Sequence, residues 1–234
     1  MKPIAIFRHF PIEGPGYLAD FLDQRNLPWV LLRIDEGEAV PADAGEFSGL
    51  VFMGGPMSVN DPLPWIGQAL ELIRDAVAKD IPVFGHCLGG QLMSKALGGS
   101  VRKNAAKEIG WGEVSTTANP EARNWFGEMK SEVVFHWHGE TFSLPNGAQH
   151  LLTSKHCNNQ AYSLGKHLAM QCHVEMTEEM IRAWCEAGAD EVAESLNSPG
   201  VQSVTSIQAF IAQYLPAMRN VADNIYSHWI KGLR

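Results

Sequence analysis

Apolar residues gather in short runs along the first hundred positions. Residues 3–7, 30–34, 50–53 and 81–85 are dense in Ile, Val, Leu and Phe. Runs of this length predict strands buried on both faces. Between them, residues 16–25 and 64–79 carry apolar side chains at helical intervals; in the second stretch these are Ile66, Leu70, Ile73 and Val77. Alternating strand and helix predicts crossover connections and a mostly parallel, twisted α/β sheet flanked by helices.

From residue 101 to about 162 the texture changes. Residues 109–114, 133–137 and 150–154 predict strands joined by turns rich in Asn, Pro and Gly, a small additional antiparallel section. Residues 168–174 form a further apolar strand. Thr177 then offers an N-cap with Glu178 and Glu179 in the first turn of a helix. A last helix is expected over residues 203–231, broken near Pro216 because proline lacks the N–H that a helix interior needs. The expected organisation is one domain over residues 1–234, with a C-terminal helical extension from about residue 200.

Composition narrows the functional classes. Of 234 residues, 45% are hydrophobic and 19% charged, enough apolar content for a packed core. The formal net charge of −8 argues against a duplex nucleic-acid partner, which requires a basic surface to displace counterions. The N-terminal apolar run is cut short by Arg8, so no signal-peptide core is expected. No apolar stretch approaches the roughly 20 residues of a membrane helix. The four cysteines, Cys87, Cys157, Cys172 and Cys185, form no C-x-x-C pair. Free thiols in a reducing cytoplasm are expected, with no metal and no organic cofactor.

One cysteine has a distinctive setting. Gly85-His86-Cys87-Leu88-Gly89-Gly90-Gln91 follows an apolar strand and opens a helical stretch, the strand–turn–helix pattern of a nucleophile elbow. Glycines permit the tight turn, and the helix N-terminus is expected to lower the thiol pKa while offering free amides to an oxyanion. Further along, His173 and Glu175 lie two residues apart on a strand and therefore share a face. His173 would serve as base and Glu175 would fix its tautomer. His86, His136, His138 and His156 lack such an acid-spaced context. Gly54-Gly55-Pro56, at the end of another apolar strand, reads as a turn able to aim an amide at the same oxyanion. A plain tight connection explains Pro56 equally well.

These three segments together resemble the class I, triad-type glutamine amidotransferases, whose fold is flavodoxin-like. The resemblance extends from the first strand to about residue 180. It implies Cys87, His173 and Glu175 as the triad, Gly55 and Leu88 as oxyanion-hole amides, and Gln91 as a substrate contact. Phe135-His136-Trp137-His138-Gly139-Glu140-Thr141-Phe142 and Asn158-Asn159-Gln160-Ala161 are similar to the stand-alone, GMP-synthase-like branch, which places His138 beside the substrate. Two positions depart from that branch. Glu140 stands where Asp is common, and His86 replaces a small or apolar residue, a change expected at the pocket edge.

The expected activity is hydrolysis of the glutamine side-chain amide through a thioester on Cys87. The chain contains no pyrophosphate-binding loop or Walker motif of its own, so released ammonia would go to a separate synthetase subunit. Alternatively, the enzyme is a γ-glutamyl peptide or γ-glutamyl amine hydrolase. Two readings from other classes are a cysteine-elbow protein of the DJ-1/PfpI kind and a non-catalytic binding module. The first leaves His173, Glu175 and the Gly-Gly-Pro turn without roles, and the second expects a lost triad member. An apolar face on the last helix would suit a homodimer or a synthetase-docking surface.

Overall fold

Ten strands join a single sheet in the computed structural model of the protein, which describes residues 1–234. The chain begins with β1 (Ile4–Arg8), α1 (Tyr17–Gln24), β2 (Trp29–Arg33), β3 (Gly49–Phe52), α2 (Pro64–Ala78), β4 (Val83–His86) and α3 (Leu88–Ala96). It continues through β5 (Val101–Thr116), α4 (Pro120–Phe126), β6 (Ser131–Phe142), β7 (Gln149–Ser154), β8 (Ala161–Leu164) and β9 (His167–Met170). The remainder comprises α5 (Glu178–Ala187), α6 (Ala189–Ser195), β10 (Gly200–Val201), α7 (Val204–Ala209) and α8 (Ile211–Trp229).

Strands β2, β1, β3, β4 and β9 lie side by side and parallel. Beyond β9 the sheet continues antiparallel through β8, β7 and β5, and β5 also pairs with β6 and β10. The fold is thus α/β with a mostly parallel half and an antiparallel section. Side-chain alternation fills both faces. Ile4 and Ile6 of β1 enter one apolar cluster, whereas Ala5 and Phe7 enter the other, and all four are fully buried. Phe7 stacks on Phe52 of the neighbouring strand with centroids 4.4 Å apart. Residue pairs of this kind fix the register of β1 against β3, and thereby align the carboxyl ends of the strands.

The structure departs from the sequence reading in three places. Residues 120–126 form α4, capped by the Asn119 side chain, which accepts from the Glu121 amide at 2.9 Å, and started by Pro120. Strand β9 ends at Met170, because Gln171 turns to bond Gln160 and His173 pairs with Phe135 on β6. The C-terminal break falls at Phe210 instead of Pro216. Pro216 sits near the start of α8 with its side chain exposed, so the Ala212 carbonyl that it leaves unpaired lies on a water-facing turn. Helix α8 buries Met218, Ala222, Ile225 and Tyr226 against the same face as Ile4 and Ile6. No helix is long and apolar enough to cross a membrane.

Candidate active site

Cys87 joins β4 to α3 in a left-handed backbone conformation, φ 49° and ψ −106°. A non-glycine residue held there stores strain of about 1–3 kcal/mol. The Cys87 amide donates to the Met170 carbonyl at 2.8 Å and anchors the turn. Helix α3 can begin so close to the sheet because a Cβ on Gly89 would overlap the Phe52 carbonyl, and one on Gly90 would lie 2.6 Å from the Met170 carbonyl oxygen.

The thiol is 7% exposed. Gln171 donates to Sγ at 3.4 Å, and Sγ itself faces the Trp137 carbonyl at 3.8 Å. Burial, followed by the nearby carboxylates of Glu13 and Glu175, pushes the thiol well above its usual pKa; the Leu88 amide and Gln171 act in the other direction and lose. The expected lowering by the helix N-terminus is therefore reversed, since desolvation outweighs the amide dipoles at this depth.

His173 and Glu175 lie just beyond β9 and are buried. His173 Nδ1–H donates to Glu175 Oε1 at 2.6 Å, which leaves Nε2 as the free ring nitrogen; it is buried and has no partner. The Trp184 ring meets His173 edge-on, 5.0 Å between centroids. Glu175 Oε2 accepts from the Val174 amide at 2.9 Å and meets His86 Nδ1 at 3.0 Å, off the best hydrogen-bond direction. Burial resists ionisation of Glu175, but the charges of His86 and His173 and their hydrogen bonds prevail and hold it well below the ordinary carboxylate range. His86 is accordingly not at the pocket edge. It is fully buried beneath the site, between the Phe84 and Tyr226 rings and Glu175.

Two amides lie beside Cys87. The Gly55 N–H donates to no backbone acceptor, and the Leu88 N–H is directed at the Cys87 sulfur, whose charged form it favours. The loop carrying Gly55 is set by His9, whose Nδ1 lies 3.1 Å from the Met53 carbonyl and 3.3 Å from that of Gly54. His9 stacks on Trp65, and burial lowers its pKa to about 4, so the ring is neutral. A Cβ on Gly55 would meet Leu88 Cδ2 at 2.8 Å, which measures how closely the two amide-bearing segments approach.

A cavity of about 360 Å³ opens over Cys87 and Gly55; His173 and Glu175 are not in its wall, and Cys87 Sγ makes no hydrogen bond to His173. Its wall includes Cys87, Gly55, Gln91 and His138, together with Glu13 and Trp184. Gln91 donates to Gln171 Oε1 at 3.2 Å, so Gln91, Gln171 and the thiol form one chain of contacts. The His138 side chain is 1% exposed, and both of its ring nitrogens are engaged by the protein. Its Nε2 lies 3.1 Å from Glu108 and its Nδ1 2.9 Å from the Glu140 carbonyl. Glu108 also accepts from Ser154 and Gln160, both at 2.8 Å. Despite the burial that opposes it, the hydrogen bond from His138 and the charges of His136 and His138 bring Glu108 down to about 2. Ligand-type atoms of Glu108, His136 and His138 lie within 4.8 Å of one another, but the contacts among themselves, Ser154 and Gln160 already engage them.

Sequence reasoning passed over Gln171 and Glu13. Gln171 continues the i, i+2, i+4 alternation of His173 and Glu175, a signal present in the sequence. Glu13 gave no signal, because it lies in the loop between β1 and α1, whose course is tertiary.

The cysteine elbow lies at the carboxyl ends of the parallel strands of a doubly covered α/β sheet, where open sheets of this kind bind their ligands. The chain belongs to the class I glutamine amidotransferase family, whose model matches residues 18–183. It is similar to the crystal structure of a glutamine amidotransferase from Methylobacillus flagellatus, with 44% identity, a TM-score of 0.98 and coverage of 100% of this chain and 96% of that one. The glutamine amidotransferase-like protein YfeJ of Salmonella typhimurium is 30% identical over 214 residues, 88% of this chain and 90% of the relative. Gamma-glutamyl peptidase 3 of Arabidopsis thaliana is 28% identical over 162 residues, 65% of each chain.

Proposed function

We propose that the protein hydrolyses the side-chain amide of glutamine, or of a γ-glutamyl compound, through a γ-glutamyl thioester on Cys87. The observation that carries this reading is the cysteine elbow itself, with the Gly55 and Leu88 amides beside it and a buried His173–Glu175 pair whose Nε2 is free.

The thiol is protonated at rest, so attack requires transfer of its proton to His173 Nε2, the ring nitrogen that Glu175 leaves free. The sulfur adds to the amide carbon, and the oxyanion is received by the Gly55 and Leu88 N–H groups. One such donor is typically worth about 3–4 kcal/mol in the transition state. His173 then gives its proton to the departing nitrogen, the C–N bond breaks, and the thioester remains. Water, deprotonated by the same imidazole, cleaves the thioester and regenerates the thiol. Glu175 keeps Nδ1 protonated throughout and stabilises the imidazolium. Gln171 holds the sulfur by its hydrogen bond, and Gln91, in the cavity wall, positions the substrate chain.

Turnover of glutamine, followed by ammonia release, tests the proposal. Cys87→Ala is expected to abolish it, and an alanine variant that retains turnover would refute the assignment. Cleavage confined to substituted γ-glutamyl amides, with glutamine untouched, would identify the peptidase form of the same chemistry.

A further inference from the structure

The cavity over Cys87 is lined by three carboxylates and no Lys or Arg. Two are engaged. Glu140 accepts from Ser58 Oγ at 2.9 Å, and Glu191 accepts from Lys107 Nζ at 2.7 Å and from Trp137 Nε1 at 2.9 Å. Glu13 has no hydrogen-bond or ion-pair partner. Burial, and then the Glu175 carboxylate, push it up to about 8, the mark of a carboxyl group lacking a counter-charge.

Its position is built. Trp184 Nε1 donates to the Ile12 carbonyl at 2.8 Å, and the Glu13 amide donates to the Phe10 carbonyl at 3.0 Å. The far end of the loop is tied by the Tyr17 amide to the Glu175 carbonyl at 2.8 Å. The Glu13 carboxyl packs on Gly54: a methyl group there would overlap Glu13 Oε2 and lie 3.4 Å from Cε1 of His173. Glu13 and the imidazole thus converge on one point, next to the residue that precedes the Gly55 amide.

On the thioester reading His173 delivers a proton to the departing nitrogen, so a carboxyl group that is both beside the imidazole and in the cavity wall faces the leaving amine. Resting on the thioester reading above, we propose that Glu13 selects the leaving group: it favours γ-glutamyl amides that release a cationic amine and disfavours those that release a carboxylate-bearing amine, such as an amino acid or peptide. In the acylation step the C–N bond breaks as the C–S bond forms, the thiol proton passes by way of His173 to the departing nitrogen, and the free amine leaves. A cationic group on that amine supplies the counter-charge Glu13 lacks and drives off its proton, whereas a carboxylate meets the charge of Glu191 and, above about pH 8, that of Glu13 as well.

Three size-matched substrates test this: γ-glutamyl-2-aminoethylamide, γ-glutamyl-ethylamide and γ-glutamylglycine. The full-length protein and its Glu13→Gln and Glu13→Asp variants are compared by kcat/KM, with thermal unfolding as a check on folding. The wild type is expected to prefer the aminoethyl substrate to γ-glutamylglycine by at least about 30-fold. Glu13→Gln should reduce that ratio by about tenfold or more, and Glu13→Asp should restore part of it. An unchanged ratio in folded Glu13→Gln, or a wild-type preference for γ-glutamylglycine, would overturn the proposal. Absence of turnover and of Cys87 acylation with all three substrates, and with glutamine, would instead overturn the thioester reading on which it rests.

Discussion

His86→Leu is the most informative perturbation of the buried acid. Leucine fills much of the imidazole volume between Phe84 and Tyr226 but removes the 3.0 Å contact with Glu175 Oε2. Glu175 then keeps only His173 on one oxygen and the Val174 amide on the other. The neighbouring His86 charge is one of the causes that hold Glu175 ionised against burial, so its loss should let the Glu175 pKa climb. The folded-state pKa of Glu175 is depressed, so its contribution is present above the unfolded carboxylate pKa and is lost as pH falls through the folded value. In the variant that loss begins at higher pH. The assay is kcat/KM for glutamine from acid to neutral pH. The acid limb should move to higher pH, and loss of about 1.5–3 kcal/mol of support for the charged pair should lower kcat/KM roughly 10- to 100-fold. His86→Asn, which keeps a donor in place, should recover much of the loss. An unmoved acid limb with kcat/KM within a factor of two would refute the claim that His86 holds Glu175.

Other outcomes follow from the packing. Gly89→Ala drives a methyl into the Phe52 carbonyl and should destabilise the fold by about 1–3 kcal/mol, read as a Tm drop of several degrees. Glu108→Gln removes a buried carboxylate held by His138, Ser154 and Gln160 and should cost about 3–5 kcal/mol at neutral pH. Since Glu108 titrates at about 2 when folded, below its ordinary range, the gap in denaturant stability between wild type and variant should shrink as pH falls from the unfolded carboxylate value toward 2. Thr177→Ala deletes the cap whose hydroxyl accepts from the Met180 amide at 3.2 Å, at a cost of about 1 kcal/mol and a Tm lower by about 2–4 °C.

Much of this was legible in the sequence where local rules govern. The buried strands of the parallel half announced themselves as Ile, Val and Phe runs, and Gly85 to Gly90 could only be a tight strand-to-helix turn. The elements that escaped depend on tertiary contacts. Residues 168–174 look like one strand, but Gln160 and Phe135 draw the chain away after Met170. Helix α4 carried its Asn119–Pro120 start signal inside a region dominated by turn residues. The thiol pKa went the other way because a helix N-terminus is visible in sequence whereas burial and the approach of Glu13 are not. His86 was misplaced for a related reason: a strand's last residue points up or down according to its neighbours, and here Glu175 lies beneath it.

The central claim is that Cys87 becomes acylated by a γ-glutamyl group. Its most direct test is mass spectrometry of protein acid-quenched during turnover of glutamine, with the modified peptide sequenced. The account predicts a γ-glutamyl adduct on Cys87 alone, absent from Cys87→Ala and persisting longer when His173 is replaced by Ala after brief exposure to a reactive γ-glutamyl thioester. Robust turnover with no adduct, or an adduct on Cys157, Cys172 or Cys185, would contradict it.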